Sequence, residues 1–540
     1  MRQGRTAPRW LAAVEGSGAA SGDVVAIGLD PGDPGLVALA EALPESRIHL
    51  VLPKGTDPSR RALPENVTPH AHRRWSDLAT WVVESLGVRP RAIVDHLGAR
   101  RTGASVLDRL LWTLEPGGVY VLTASSSDPR PDLDEESLLA VDGVEVMDGA
   151  VLVRKATSHL FTVREWPRPL RDASGPSLDE ADRIHTERAY SYASRATVHV
   201  HGRPSVSHFH PTIEVPERHL RLTHDVTCLP RMLATSHGRV LPSSFRHPHN
   251  KRLTHPHLVT SAPDFVRLGR EYESLPPLAG PHLQLDSTYP GHFGHAVTEQ
   301  LGHLWAWDLV RSRFPDARVV LTLPPKRREL WPFQREMLGA FGIEPDSVIA
   351  LRSNQSVRMD ALLTCTPAFE NPHFVDLRMR EVWQTLFRHL VRDAETRDVP
   401  PPERLFITRP PGSQREALRA AAIERFFRRR GFRLVRPETL TWGQQAWIFS
   451  RAKVIAGYGG SGMFNMMFNP DARVIVITGD AYTARNEHLF AAANGNEIHY
   501  FFGTSTIRPR PGKHDPVAFV SDFAFDLRGS RKALEAAIGG

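Results

Sequence analysis

Three groups of residues in this chain have the types and spacing to do chemistry. His295, Glu299 and His303 recur every four residues within GHFGHAVTEQLGHLW, which sets three titratable groups along one face of a helix. Imidazole and carboxylate are the usual proton-transfer groups near neutral pH, so this face could deprotonate a hydroxyl. The same spacing equally describes an amphipathic helix whose polar side holds satisfied hydrogen bonds. Arg409 directly follows the apolar run at 405–408, and Arg415 stands six residues later near a helix start. Guanidinium groups so placed clamp phosphate oxygens by charge-assisted hydrogen bonds. The third group is Gly457-Tyr-Gly459-Gly460-Ser461-Gly462, a glycine turn between an apolar strand and a helix. Bare backbone N–H groups and the helix dipole favour an anion there, so the second and third groups together point to a phosphorylated ligand.

Other candidates are more ambiguous. Four His-x-His pairs open the middle of the chain: His199/His201, His208/His210, His247/His249 and His255/His257. Alternate residues on a strand share a face and could ligate a transition metal. No pair has a third ligand at fixed spacing, so the histidines read as groove-lining or surface groups and no metal is assigned. Asp132-Leu-Asp134 has the DxD form that holds a metal-bound diphosphate, and it reads equally as a solvated loop. The only cysteines, Cys228 and Cys365, supply neither a disulfide framework nor a Cys-rich metal site.

The elements that position these residues follow from periodicity. At 540 residues the chain should form two to four domains. Residues 438–450 read as an amphipathic helix, 453–456 as a strand, a helix begins near 462, and 473–477 reads as the next strand, giving a parallel βαβ unit. Earlier strands are expected at 405–408 and 431–435. Between 20 and 155, strand-like runs at 24–29, 48–52, 92–94 and 119–123 alternate with helical ones, as in a parallel α/β domain. A polar, Pro- and Ser-containing stretch at 167–187 reads as a linker. The formal charge of +7 suits nucleic acid, a membrane surface or anionic metabolites alike. Arginine is densest at 397–436, but no nucleic-acid recognition module accompanies it, so no nucleic-acid partner is expected. No run of about 18 apolar residues and no secretory leader is evident, so a cytoplasmic protein is expected, with association at the inner membrane face left open.

Two resemblances to known families emerge. LLWTLEPGGVYVLTAS, at 110–125, resembles the late strand of class I methyltransferases with its preceding PGG turn. The glycine-rich turn that admits S-adenosylmethionine in those enzymes is replaced by Gly28-Leu-Asp-Pro-Gly32-Asp-Pro, which implies a degenerate, noncatalytic domain with Asp95 as the residue to test. The ordered segments HFGHAVTEQLGHLW, FITRPPGSQR and GFRLVRPETLTWGQQAWIFSRAKVIAGYGGSGMFNMMF resemble glycosyltransferase family 61, the capsular polysaccharide biosynthesis type, over about residues 200–510. The family's early His motif falls at His295, its Ser-Arg pair on Thr408-Arg409 and its second arginine on Arg415. Its following segment falls on Pro437, Glu438, Leu440, Gln445, Phe449, Ala452 and Gly457, and its glycine, small residue and asparagine on Gly460, Ser461 and Asn465. Two departures stand out: Arg419-Ala-Ala-Ala-Ile-Glu424 replaces an Asn and acidic residues, and Gly459-Gly460-Ser461 replaces the common His-Gly-Ala.

The resemblance implies an α/β protein with a GT-B-like pair of Rossmann-like domains, preceded by an extra Rossmann-like domain. The expected boundaries are a flexible N-terminus at 1–20, the methyltransferase-like domain at 21–165 and a linker at 166–190. An acceptor-side half at 191–398, a nucleotide-sugar half at 399–525 and a C-terminal tail or helix at 526–540 complete the chain. The implied activity is transfer of a hexosyl or pentosyl group from a nucleotide sugar, a UDP-sugar by expectation, to a glycan hydroxyl, with inversion and no required cofactor or metal. Arg409, Arg415, Gly459, Gly460, Ser461, Gly462 and Asn465 would bind the donor, Glu438 and Gln445 would fix nucleoside or sugar, and His295 or Glu299 would be the base. Two other classes remain open. The turn at 457–462 also matches G-x-G-x-x-G, with Asp480 after the next strand, as in a nicotinamide-dependent oxidoreductase. A catalytically inactive carbohydrate-binding protein is the third.

Overall fold

A computed structural model of the protein describes residues 8–17, 22–53, 56, 62–72, 78–84, 86–87, 89–97, 106–123, 125, 127–130, 133–147, 149–163, 183–207, 209–248, 252–262 and 264–539. The chain forms two compact units, one of residues 1–182 with 235–271 and the other of 183–234 with 272–540. Residues 235–271, read from sequence as part of the acceptor-side half, therefore go with the first unit. Most of the expected linker, 166–182, lies outside the described residues.

The first unit contains a seven-stranded sheet built from β1 (Asp23–Ile27), β2 (Arg47–Pro53), β3 (Val67–His72), β4 (Ala92–Asp95), β5 (Val119–Thr123), β6 (Val141–Met147) and β7 (Ala150–Lys155), in the order β3-β2-β1-β4-β5-β7-β6. The first five are parallel and β7 is antiparallel to its neighbours. The runs VVAI, AIV and VYV are buried on both faces because helices cover both sides, as an all-parallel sheet requires. The N-terminus is not wholly flexible: Trp10–Gly16 is a helix whose Trp10, Leu11 and Val14 join the core with Leu36, Leu39 and Ala40. Residues 1–7 and 18–20 lie outside the described residues.

The second unit contains two Rossmann-like halves. In the first half, β9 (Arg218–Cys228) pairs antiparallel with β13 (Gln355–Cys365), which is followed in parallel order by β10 (Glu273–Gln284), β11 (Arg318–Thr322) and β12 (Val348–Leu351). In the second half, β14 (Arg404–Ile407), β15 (Arg433–Val435), β16 (Val454–Tyr458), β17 (Arg473–Gly479) and β18 (Glu497–Ser505) are all parallel in the order β15-β14-β16-β17-β18. β8 (Thr197–His201), from early in the unit, adds in parallel along β18. One continuous apolar core joins the halves, with Leu283, Leu321 and Leu363 from one sheet and Leu405, Ile455 and Val474 from the other. The opposite face of the second sheet is closed by the helix Leu527–Gly539 through Leu534, Ala537 and Ile538.

Helix Trp442–Arg451 is held between the halves. Thr441 caps it reciprocally with Gln444, and Ala446, Ile448 and Phe449 enter the shared core. Its Gly443 lies against the end of the helix Met379–Leu390: a Cβ there would overlap the Leu390 carbonyl oxygen and come within 3.0 Å of Thr396. Gly443→Ala is therefore expected to destabilise the protein by about 1–3 kcal/mol through overpacking. An unconstrained helix position would gain about 1 kcal/mol from the same change, so the direction of the shift in thermal midpoint decides whether this close approach exists.

Candidate functional site

In an open parallel sheet, ligands bind beyond the carboxyl ends of the strands where the strand order reverses. In the second half that reversal lies between β14 and β16, and the arginines and the glycine turn meet there. Arg409, two residues beyond β14, donates from Nη1 to the carbonyls of Gln414 (2.8 Å) and Arg415 (2.9 Å), and from Nη2 to the Gly459 carbonyl. Arg415 has φ +61° and packs its guanidinium over the rings of Tyr482 (5.1 Å) and Phe519 (5.0 Å). Its buried Nε has no hydrogen-bond partner among the described residues. Burial first, and then the neighbouring charge of Arg415, lowers Arg409 to a pKa of about 10.

Gly460 stands between the two guanidinium groups. Its φ is +141°, and a Cβ would sit 2.8 Å from Arg409 Nη2 and 3.2 Å from Arg415 Nη2. Two N–H groups of the turn are already engaged: Gly459 N–H donates to the Ile477 carbonyl at 3.0 Å and Gly460 N–H to Glu487 Oε1 at 2.7 Å. Glu487 is wholly buried, accepts from Tyr482 Oη at 3.0 Å, and has its pKa raised by burial. The segment after the turn, Ser461–Phe468, is a 3₁₀ helix and not the expected α-helix.

Behind the turn, several expected donor contacts are internal. Asn465 is fully buried, accepts from Trp442 Nε1 (2.9 Å) and donates to Gln445 Oε1 (2.9 Å). Gln445 in turn donates to the carbonyls of Pro437 (2.8 Å) and Leu440 (3.1 Å). This lattice fixes the start of helix Trp442–Arg451 against the 3₁₀ segment, while Glu438 beside it is exposed. Asp480 accepts from Ser505 N at 3.0 Å, so its carboxylate is engaged within the sheet end.

The first half brings up His295. The segment is not one continuous helix: a single α-turn, Phe293–His295, runs into a π segment, Ala296–Gln300, and then a 3₁₀ segment, Leu301–Ala306. The changed pitch breaks the shared face. His303 is buried with Nδ1 2.7 Å from the Glu299 carbonyl oxygen, away from the other two, and burial lowers its pKa. His295 and Glu299 do pair. His295 Nδ1 donates to Glu299 Oε1 at 2.6 Å, and Ser287 Oγ donates to Glu299 Oε2 at 2.6 Å. Tyr289 stacks on the imidazole at 4.3 Å, and Nε2 is the nitrogen turned away from Glu299. Ser287 follows Asp286 at the end of β10. That buried carboxylate accepts from Met232 N (2.7 Å), Thr322 N (3.0 Å) and Thr322 Oγ1 (2.6 Å), pinning the strand ends.

The two halves touch at the site. A Cβ on Gly294 would lie 2.9 Å from Ser461 Cβ, so the His295 turn rests on the glycine turn. Beside this contact is a cavity of about 1160 Å³, lined by Arg409, Arg415, Glu438 and Ser461 on one side and by Trp331 and Phe333 on the other. Phe293, which meets Phe333 edge-on at 5.3 Å and Trp442 at 5.4 Å, also lines it. The cavity is large enough for a ligand with a charged end and an aromatic or sugar body. Glu487, Tyr482 and Ser287 were not singled out in the sequence, since no local spacing links them to the site.

The remaining candidates disperse. Asp132 lies outside the described residues, and Asp134 caps the helix Glu135–Ala140 by accepting from Ser137 N at 2.7 Å. His208 and His249 also lie outside the described residues. Asp95 is buried, accepting from Tyr120 Oη (2.8 Å) and Leu97 N (2.9 Å).

The geometry defines an α/β protein with paired Rossmann-like halves, two adjacent arginines on one and a His–Glu pair on the other. Residues 293–476 match the family model described as Glycosyltransferase 61, which spans both the His–Glu segment and the glycine turn and supports a glycosyltransferase. No curated protein sequence matches. Among solved structures the chain is similar to the MycE methyltransferase from the mycinamycin biosynthetic pathway, at 14% identity over 25% of this chain and 42% of that one, with TM-score 0.20. It is also similar to human N-acetylserotonin methyltransferase (12% identity, 28% of this chain and 52% of that one, TM-score 0.21). A third is an S-adenosyl-L-methionine methyl transferase from Silicibacter pomeroyi (14% identity, 27% and 88%, TM-score 0.19). The chain thus spans only about half, or less, of the first two.

Because Asn465 bridges Trp442 and Gln445 inside the protein, Asn465→Ala leaves a buried indole N–H unpaired. It is expected to cost about 1–3 kcal/mol in urea unfolding without any ligand; an unchanged midpoint would return Asn465 to the list of ligand-facing residues.

Proposed function

We propose that the chain is an inverting, metal-independent glycosyltransferase of GT-B architecture. It moves a sugar from a nucleotide sugar, a UDP-sugar by preference, to a glycan hydroxyl in bacterial capsular or cell-surface polysaccharide synthesis. The observation that supports this most is the convergence of Arg409 and Arg415 on Gly460 beside a cavity whose other wall carries Phe293 and Trp331. Two guanidinium groups held in advance offset the charge that develops on a leaving diphosphate, at no reorganisation cost during reaction. The aromatic wall suits a nucleobase or sugar face.

In this reading His295 Nε2 takes the proton of the acceptor hydroxyl as its oxygen bonds to the anomeric carbon. The bond from that carbon to the phosphate oxygen breaks, and the electron pair leaves with the nucleoside diphosphate onto Arg409 and Arg415. Glu299 holds the tautomer by accepting from Nδ1, and Ser287 holds Glu299; both carboxylate oxygens are occupied, so Glu299 orients the base. Ser461, Gly462 and Gln445 line the donor side, whereas Asn465 acts through the segments it braces. The first unit enters as a noncatalytic domain. Leu97 closes over Gly28, where an added Cβ would lie 2.7 Å from Leu97 Cδ2, and Asp95 is spent on Tyr120.

Gly460→Ala places a methyl between the guanidinium groups and is expected to weaken UDP or UDP-sugar binding at least about tenfold by calorimetry, as is Arg409→Ala. Affinity within twofold of the parent in both variants would remove the arginine pair from the donor site. His295→Gln is expected to lower kcat by about 10²–10⁴ while leaving donor affinity within about twofold. Parent-like turnover in that variant would rule the imidazole out as base.

A further inference from the structure

The described residues hold a second polar cluster, remote from the arginine pair, on the strands β8 and β18. These strands run parallel with Thr197 opposite Glu497 and His199 opposite His499, so residues almost three hundred positions apart face the same side of the sheet. His499 Nε2 lies 3.0 Å from Glu497 Oε1, and His199 Nε2 lies 3.5 Å from the same oxygen. The two imidazoles stack at 4.3 Å with their planes within 13°. All three ligand atoms fall within 4.8 Å of one another.

We propose that His199, Glu497 and His499 bind a borderline divalent transition metal, of which Zn²⁺ is the natural probe, and that the ion staples β8 to the edge of the nucleotide-side sheet. Three observations carry this. First, the two nitrogen-to-oxygen spacings, 3.0 and 3.5 Å, lie close to the edges of about 3.0–3.4 Å that bonds of about 2.0–2.1 Å from imidazole nitrogen and carboxylate oxygen give, and all three atoms lie within 4.8 Å. Second, the outer contacts are those that orient metal ligands. Arg473 Nε donates to Glu497 Oε2 at 2.8 Å, which leaves Oε1 facing both imidazoles. His201 Nε2 lies 3.5 Å from His499 Nδ1, and its ring stacks on Phe501 at 4.2 Å, so a proton on Nδ1 directs Nε2 toward the carboxylate. Third, the site is open on one side. The side chains of His199 and Glu497 are 43% and 36% exposed while His499 is 9% exposed, which leaves solvent access for an ion and a completing water. The two-histidine, one-carboxylate donor set favours Zn²⁺, Co²⁺ or Ni²⁺ over Mg²⁺ or Ca²⁺.

The staple has a structural consequence. Just beyond β8, Ser205 N–H donates to the Asp480 carbonyl at 2.8 Å, and Asp480 opens the loop that carries Tyr482 to Arg415. A clamped β8 therefore stiffens a strand that leads into the anion site without supplying any reacting group.

The test is Zn²⁺ titration of the chelator-treated full chain by calorimetry at pH 7.5, with Co²⁺ absorption as a spectroscopic readout. One saturable site is expected, with a higher thermal midpoint in Zn²⁺. His199→Asn and Glu497→Gln, both at partly exposed positions, should each weaken binding at least about tenfold and abolish the Co²⁺ visible bands. His224→Asn, an exposed histidine elsewhere, should leave both unchanged. No saturable binding, or binding equal to the parent's in both site variants, would overturn the proposal.

Discussion

The architecture of the second unit depends on holding two guanidinium groups side by side without an ion pair to either among the described residues. Arg409 and Arg415 repel each other, and burial adds to the cost, which is why Arg409 sits near 10. The fold meets this with dipoles and rings. Carbonyls of Gln414, Arg415 and Gly459 accept from Arg409, and Tyr482 and Phe519 flank Arg415. Gly460 is the residue that makes the arrangement possible, because any Cβ would occupy the space between the charges. In the proposed donor site, an anion would replace this repulsion with charge-assisted hydrogen bonds.

Everything around the arginine pair serves its position. β14 delivers Arg409 and β16 delivers the glycine turn, and the parallel register Ile407 to Gly457 sets them together at the reversal of strand order. The Trp442–Asn465–Gln445 lattice fixes the 3₁₀ segment behind the turn. The first half meets this frame through Gly294 against Ser461, so His295 is placed relative to the arginines by backbone packing and not by a flexible side-chain reach. Asp286 secures the same end of that half by joining β10, β11 and the 231–232 turn through one carboxylate.

The sequence made the parallel strands of the second half legible. Runs such as VIAGY and RVIVIT are apolar because they are covered on both faces, and their boundaries agree within a few residues with β16 and β17. Strand β3, VTPHAH, was not legible, since its proline and two histidines lack both alternation and an apolar run. The helical spacing of His295, Glu299 and His303 predicted one face. The π segment altered the pitch and turned His303 to the backbone, which no periodicity reveals. Local spacing also could not show that β8 joins a sheet formed almost three hundred residues later, and so His199 lacked its partners until the fold supplied Glu497 and His499. Asn465 is buried as a brace between Trp442 and Gln445, whereas Gln445 also reaches the cavity wall; family-like position does not tell a contact from a brace.

Glu487 explains how a carboxyl can lie so close to two arginines without disabling them. Were it free to swing, it would offset the charge of the two guanidinium groups. Its burial raises its pKa, and its oxygens are already engaged by Gly460 N–H and Tyr482 Oη, so it is tied to the turn and not to the guanidinium groups. The same bonds hold Gly460 in its left-handed region conformation, which keeps the gap between Arg409 and Arg415 open. The acid therefore contributes geometry where a salt bridge would have contributed only cancellation. At Gly459 a Cβ would already lie 3.1 Å from both Tyr482 and Val476, so the space for a larger residue is taken up in part by the ring that Glu487 anchors.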